Sequence, residues 1–317
     1  MKAVLFDGSL RLVSDYPRPL LKPDWAVIKV IKAGICRTDI ELIKGYMGFK
    51  GILGHEFIGV IEDTIDKSLI GRRVTGEINV SCGKCAMCKM GLKRHCYNRA
   101  VQGIHKIDGA MAEYCTLPIE NLKIIPDEIS DEKAVFIEPM SAAAQILTQI
   151  TIEANDTCVI LGDGKLGILC AWVMTTVCRD VTIVGHHENK LNAARWNGLK
   201  TITDISEIKT GVDIVIEATG SLSGLTDAVK ICRPMGIIIL KSTVASKIEI
   251  DLSIVTINEI SIIGSRCGLF DDGIGIMRNW KDMPIERLIT ARYPISEAVT
   301  AFEKAVQRDS LKVLLEF

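Results

Sequence analysis

The sequence predicts an α/β protein: a β-rich first part, then a doubly wound parallel sheet, with strand character returning near the end of the chain. Three observations carry this. Beyond Asn155 and Asp156, apolar runs of about five residues alternate with helix-like segments, which is how a parallel sheet covered on both faces reads. A glycine-rich turn, Gly162-Asp163-Gly164-Lys165-Leu166-Gly167, falls between one such run and the next helix. Residues 1–32 instead alternate apolar and polar and are broken by Pro17, Pro19 and Pro23, the mark of short strands.

Taken in order, residues 27–32 form a strand, and Cys36 follows it in the loop after Gly34. Ile40, Leu42 and Ile43 give residues 38–44 one or two helical turns. Strands are expected at 57–62 and 73–78, while 82–96 is too rich in Gly and Lys and reads as a loop excursion. From about residue 131 the character changes. Residues 134–150 are helix-like but interrupted at Glu138-Pro139, because a proline disfavours helical angles in the residue before it. The alternation that follows places strands at 157–161, 180–184, 212–217, 236–240 and 260–264, with helices at 165–178, 190–197 and 222–232. From about 289 the chain returns to a strand, a helix at 296–307 and a final strand at 312–317. It contains no internal repeat or low-complexity tract.

A chain of 317 residues is expected to form two domains. A formal net charge of -1 gives no bulk attraction for nucleic acid or a membrane surface. Hydrophobic residues are 48% of the chain and aromatics only 5%, so the core is aliphatic. No stretch reaches the roughly 18 uncharged apolar residues of a membrane span. The opening residues read as a strand and turn rather than a signal peptide, so a cytoplasmic location is expected. Eleven cysteines, an odd count, fit a closed disulfide framework poorly, and clustered thiols in such a chain more often bind metal. Cys158, Cys170, Cys178 and Cys232 lie in apolar runs and are expected to be small buried hydrophobes.

Two constellations can hold metal. Cys36 together with Gly54-His55-Glu56 offers a thiolate, an imidazole and a carboxylate, the side chains that bind zinc best. His55 and Glu56 are adjacent and diverge on a regular strand, but a turn at Gly54 entering a strand lets both converge on one ion. Cys82, Cys85, Cys88 and Cys96 are spaced C-x2-C-x2-C-x7-C, and four thiolates close a tetrahedron around Zn²⁺ with no open position, a structural site. Lys84, Lys89, Lys93 and Arg94 lie in the same loop and offset its negative charge. An iron–sulfur cluster is the chemical alternative, although ferredoxin-type runs usually space their cysteines differently.

Gly162, Gly164 and Gly167 suit a dinucleotide-binding turn. The first makes the tight turn, the second admits a pyrophosphate, and the third lets helix and strand pack closely. The helix opening at Lys165 and Leu166 then faces phosphates with its unpaired N–H groups. About 20 residues on, an NAD site usually carries an acid at the end of the second strand. Gly185 stands there instead, with His186, His187 and Lys190 nearby. Removing that negative charge and supplying basic groups favours NADP(H) over NAD(H).

In this order, Cys36, Gly54-His55-Glu56, the four-cysteine loop and the glycine turn make the chain similar to the zinc-dependent medium-chain alcohol dehydrogenases, over nearly its whole length. The resemblance extends to Gly34-Ile35-Cys36-Arg37-Thr38-Asp39, Asp108-Gly109-Ala110-Met111-Ala112-Glu113-Tyr114, Glu138-Pro139 and Asp213-Ile214-Val215-Ile216-Glu217-Ala218-Thr219-Gly220. It implies a GroES-like β domain built from both chain ends (1–139 and 268–317) with a Rossmann domain (140–267) inserted. It implies two zinc ions per subunit. Cys36, His55 and either Glu56 or Glu138 hold the catalytic one, and Cys82, Cys85, Cys88 and Cys96 the structural one. Asp39 orients His55, Thr38 passes the substrate proton, and Arg37 meets the pyrophosphate. Some relatives carry a His three residues after the Ser/Thr, where this chain has Glu41. The implied activity is oxidation of an alcohol, polyol or sugar hydroxyl to a carbonyl, with hydride transfer to NAD(P). Tyr46, Met47 and Phe49 are expected at the pocket mouth, and a homodimer or homotetramer pairing through residues 260–263 is expected. A zinc-independent quinone or enone reductase of the same superfamily would lack the Cys36/His55 pair and the four cysteines. The ligand set argues equally against a non-catalytic NADPH-binding protein.

Overall fold

A computed structural model describes residues 1–243, 247 and 250–317. The chain divides into two compact units, Met1–Glu138 with Ile285–Phe317, and Pro139–Pro284. The first unit opens with a small sheet of Ala3–Phe6, Leu10–Val13 and Gly51–Ile52. Its main strands are β1 (Trp25–Gly34), β2 (Glu56–Thr64), β3 (Arg73–Gly76), β4 (Tyr114–Pro118) and β5 (Leu122–Ile124), and helix α1 (Arg37–Ile43) follows β1. Val27, Ile28, Val30 and Ala33 of β1 are buried, as are Phe57, Ile58 and Ile61 of β2, an aliphatic core as composition requires.

Helix α2 (Ile137–Ala144) spans the join between the units. The second unit continues with β6 (Thr157–Leu161), α3 (Lys165–Thr175), β7 (Asp180–Val184), α4 (Glu188–Ala194) and β8 (Lys200–Ile202). Then come β9 (Val212–Glu217), α5 (Gly224–Ile231), β10 (Cys232–Leu240), β11 (Ser261–Gly264) and α6 (Phe270–Asn279). All pairings in this sheet are parallel, in the order β8-β7-β6-β9-β10-β11. That is the doubly wound order, whose ligand crevice lies at the carboxyl ends of the strands where the order reverses. The four cysteines at 158, 170, 178 and 232 are buried here.

The chain then returns to the first unit with β12 (Ile289–Pro294), α7 (Ala298–Ala305) and β13 (Lys312–Glu316). The completed sheet runs β5-β3-β2-β1-β13-β12, with β4 also paired to β1. In register, Gly34 of β1 stands opposite Glu56 of β2 on one side and Leu314 of β13 on the other.

Three local expectations are corrected. Pro139 does not interrupt a helix at Glu138: it is the third residue of α2, where its missing N–H is one that a helix start leaves unpaired anyway. The breaks fall at Val135-Phe136 and Gln145 instead. Strand β10 begins at Cys232 rather than 236 and passes Met235 with φ +58°. The second join follows Pro284 rather than residue 267, because the segment after β11 packs into the second unit. Trp280 stacks edge-on against Trp196, and Trp196 Nε1 donates to Asp282 at 3.1 Å.

Candidate metal centres and dinucleotide turn

Cys36 caps α1 from an extended conformation (φ −101°, ψ 157°), and its N–H donates to Asp39 Oδ2 at 2.8 Å. Asp39 is fully buried; its Oδ1 accepts from Gly54 N–H at 3.3 Å and faces His55 Nδ1 at 3.5 Å. The latter separation is too long for a formed N–H···O bond, and His55 Nδ1 has no hydrogen-bond partner. Asp39 therefore acts on the imidazole as a nearby charge. Gly54 turns the chain at φ +97°, and a Cβ there would lie 2.5 Å from Met111 Cγ and 2.9 Å from its backbone nitrogen. Only glycine fits this turn, which aims both His55 and Glu56 inward.

Sγ of Cys36, a ring nitrogen of His55 and a carboxylate oxygen of Glu56 lie within 4.8 Å of one another. His55 is 3% exposed and Glu56 fully buried. Burial opposes a proton on His55, but the Asp39 carboxylate and the Cys36 thiol outweigh it and raise its pKa well above the ordinary value. A thiolate, an imidazole and a carboxylate at this spacing fit Zn²⁺.

Sequence reasoning missed one member of the cluster. Lys312, fully buried at the start of β13, pairs its Nζ with Glu56 Oε2. Gly34 makes room for the pair: a Cβ there would lie 2.9 Å from both Glu56 Oε2 and Lys312 Nζ. The only signal was a lone cation opening the apolar run Val313-Leu314-Leu315.

Thr38 is partly buried, its Oγ1 3.7 Å from Cys36 Sγ. Arg37 is exposed and pairs through Nε with Glu41 Oε1 at 3.0 Å, an oxygen that Lys44 shares at 3.1 Å. Glu138 sits partly buried in the first turn of α2, outside the cluster of mutually close donors. Tyr46 and Met47 are exposed, whereas Phe49 is 7% exposed and belongs to the core of the first unit, so it is removed from the expected pocket mouth.

The four sulfurs of Cys82, Cys85, Cys88 and Cys96 also lie within 4.8 Å of one another, with no disulfide among them. Cys85 and Cys88 are 3.5 Å apart and Cys85 and Cys96 3.7 Å, against about 3.8 Å between ligands of a tetrahedral zinc thiolate. The loop leaves Asn79–Val80 and returns through Ala100–Gln102, and these two strands pair antiparallel to close it. Backbone N–H groups of Lys84 and Cys85 pull the Cys82 thiol down to about 6, while burial pushes Cys88 up to about 11. Of the loop cations, Lys93 is paired with Glu120 at 2.8 Å.

In the second unit, Gly162 has φ +115°, and a Cβ on Gly167 would lie 2.0 Å from Gly162 O. Both positions accept glycine alone. Gly164 caps the eleven-residue α3, and a Cβ there would meet nothing within 4 Å. The start of α3, at Lys165 and Leu166, is the kind of helix N-terminus that suits a phosphate. At the end of β7 the expectation changes. A Cβ on Gly185 would lie 2.3 Å from Asp163 Cβ and 2.6 Å from its Oδ2. A carboxylate is therefore present at this strand end after all, delivered from the glycine turn. His186 is exposed, His187 contacts Asp163, and Lys190 is 8% exposed.

Two family models cover the chain: the alcohol dehydrogenase GroES-like domain over residues 22–127 and the glucose dehydrogenase C-terminus over 131–317. The chain is 31% identical to the starvation-sensing protein RspB of Escherichia coli K12, covering all of this chain and 99% of that one. It is 30% identical to the L-threonine 3-dehydrogenase of Cutibacterium acnes, over 98% and 96% of the two chains. The solved rspB alcohol dehydrogenase of E. coli CFT073, complexed with NADH, superposes with a TM-score of 0.90 at 28% identity, covering 100% and 99% of the chains. A Sinorhizobium meliloti 1021 protein described as a zinc-binding dehydrogenase, bound to NADP, gives 0.89 at 27% with the same coverage. The chain belongs to the zinc-dependent medium-chain alcohol dehydrogenase family, with its GroES-like and Rossmann folds, and is an NAD(P)-dependent oxidoreductase.

Proposed function

We propose that this chain oxidises an alcohol, polyol or sugar hydroxyl to a carbonyl, holding zinc at Cys36, His55 and Glu56 and passing hydride to NAD(P). The observation that carries the proposal is the convergence of those three donors within 4.8 Å, with His55 and Glu56 buried and Asp39 beside the imidazole. When bound there, zinc supplies Lewis-acid chemistry that lowers the pKa of a hydroxyl. A bound nicotinamide would supply the hydride acceptor for the carbinol hydrogen. Thr38, beside Cys36, takes the hydroxyl proton and hands it toward water, and Glu41 holds Arg37 and Lys44 at the outer side of α1. Cys36 and Glu56 would bring two negative charges, one offset by Lys312, a balance that would leave a bound zinc electrophilic. Glu138 is the remaining carboxylate of the family pattern and lies outside the group of mutually close donors, so any part it takes would be through water. Gly162, Gly164 and Gly167 would form the pyrophosphate turn, with the N–H groups of Lys165 and Leu166 at the start of α3.

A second zinc at Cys82, Cys85, Cys88 and Cys96 is structural. The edge strand β11, preceded by a helix (Leu252–Ile257) with exposed Leu252, Ile254 and Ile257, supports pairing into a homodimer or homotetramer. Among the described residues no helix is long and apolar enough to cross a membrane, which suits a cytoplasmic enzyme acting on small molecules.

The test is turnover of an alcohol, polyol and sugar panel with NAD⁺ and NADP⁺, alongside metal analysis. Cys36→Ala and His55→Ala are expected to lower kcat/KM by about a thousandfold or more while far-UV circular dichroism stays unchanged. Undiminished turnover after a chelator has stripped the metal overturns the proposal.

A further inference from the structure

We propose that Asp163 replaces the acid normally found at the end of the second Rossmann strand, so that this site selects NAD(H) over NADP(H). The inference rests on the dinucleotide reading of residues 162–167 given above and adds the cofactor's identity. It begins with space. The strand-end position is Gly185, and any side chain there would start 2.3 Å from Asp163 Cβ. Residue 185 must be glycine because residue 163 already fills that volume.

The carboxylate is also held in place. Asp163 is 8% exposed, and its Oδ2 accepts the backbone N–H of His186 at 2.7 Å and of His187 at 2.8 Å, with His187 Nδ1 at 2.9 Å. Oδ1 has one longer contact, to the same imidazole nitrogen at 3.2 Å. A carboxylate oxygen accepts at least two hydrogen bonds, so Oδ1 keeps capacity for a ribose hydroxyl. Burial works against ionisation, but the His187 N–H, its imidazole and Lys190 outweigh it and hold the carboxyl below its ordinary value.

The same contacts withdraw the groups a 2′-phosphate needs. The two backbone N–H donors and the His187 ring are engaged by Asp163, and Lys190 is buried in α4. Only His186, of the basic residues expected to bind that phosphate, is exposed. A fixed negative charge without free donors repels a phosphate dianion and accepts a neutral diol. The missing acid at Gly185 points to NADP(H) only as long as Asp163 is left out of account.

Equilibrium titration of purified protein with NADH and NADPH, read by nicotinamide fluorescence, tests this independently of turnover and metal. Wild type is expected to bind NADH at least about tenfold more tightly. Asp163→Asn keeps the shape and removes the charge, and it is expected to shrink that ratio by about tenfold. Asp163→Gly with Gly185→Asp moves the carboxylate back to the strand end and is expected to restore the preference, which keeps the test open if the single variant folds poorly. A wild type that binds NADPH as tightly as NADH overturns the inference. So does an Asp163→Asn variant that weakens both cofactors equally, since that marks a purely structural role. Binding of neither cofactor by wild type overturns the dinucleotide reading itself and this inference with it.

Discussion

The ion pair between Lys312 and Glu56 is the most consequential single contact in the first unit. Both side chains are fully buried, and they are 256 residues apart in sequence. A buried pair is weak evidence for added stability, but removing one partner strands the other as an unpaired charge. Lys312→Met is expected to destabilise the metal-free protein by about 3–5 kcal/mol in denaturant unfolding. Adding Glu56→Gln to that variant is expected to recover a large part of the loss, since the buried carboxylate that Lys312 balanced is then neutral. Equal loss in the single and double variants would show that packing, rather than charge, sets the cost. Neither residue's partner can be read from local sequence: Glu56 looks like a metal ligand alone, and Lys312 like an ordinary strand cation. The glycine opposite them carried the clue, because Gly34 is needed only once both side chains are known to meet beneath it.

At the scale of elements, the parallel sheet is tied at one end by Asp213 on β9. Its Oδ2 accepts Thr157 N–H at 2.9 Å and Thr157 Oγ1 at 2.7 Å from β6, and its Oδ1 accepts Arg233 Nε at 2.6 Å from β10. Burial raises the Asp213 pKa, but these donors prevail and lower it to about 2, below the ordinary 3.8. A depressed carboxyl contributes stability above its unfolded pKa and loses it as pH falls through the folded value. Between pH 5 and pH 2 the protein is expected to lose about 1 kcal/mol from this group, discounted for solvent screening. Asp213→Asn is expected to remove that component of the acid dependence, measured as unfolding midpoints across pH. Most strands and helices of this unit were legible because each announces itself within a short window by period and glycine, but the three-residue β8 and the short helix Leu252–Ile257 give too little period to read. Helix α6 was not, since Gly273 and Gly275 and the paired Asp271 and Asp272 disguise it as a loop. The Glu138-Pro139 step was misread for a related reason. Proline's bias against helix in its predecessor is real, yet a helix's first turn tolerates both residues.

At the scale of the molecule, two kinds of metal site make separable predictions. The Cys36/His55/Glu56 site presents three close protein donors, whereas the four-cysteine site is complete in itself. Metal analysis is expected to give about two zinc ions per chain. Dialysis against a chelator is expected to remove one first, abolishing turnover while near-UV circular dichroism and the melting midpoint change little. Cys88→Ser is expected to lose the other, lower the melting midpoint and leave the buried Cys36 site able to bind. Loss of both ions in a single step would merge the sites into one cooperative unit. The clustering of the four thiols was legible because their short fixed spacing has few other uses, and Gly54 marked the turn that brings His55 and Glu56 to Cys36. Asp163 was not, because a search for an acid at one strand end passes over an acid that reaches the same point from a neighbouring turn.

The position of β13 has a consequence for how the protein is made. This strand lies between β1 and β12 and brings Lys312 to Glu56, so the first sheet lacks an interior member until the chain has passed residue 316. Residues 139–284, by contrast, form their unit from one continuous stretch. During synthesis the nucleotide-binding half has its whole sequence in hand while the other half still waits for its closing strand. Until then Lys312 has not reached Glu56. The nascent chain thus passes through an interval in which a carboxylate destined for the interior still awaits the lysine that will face it there.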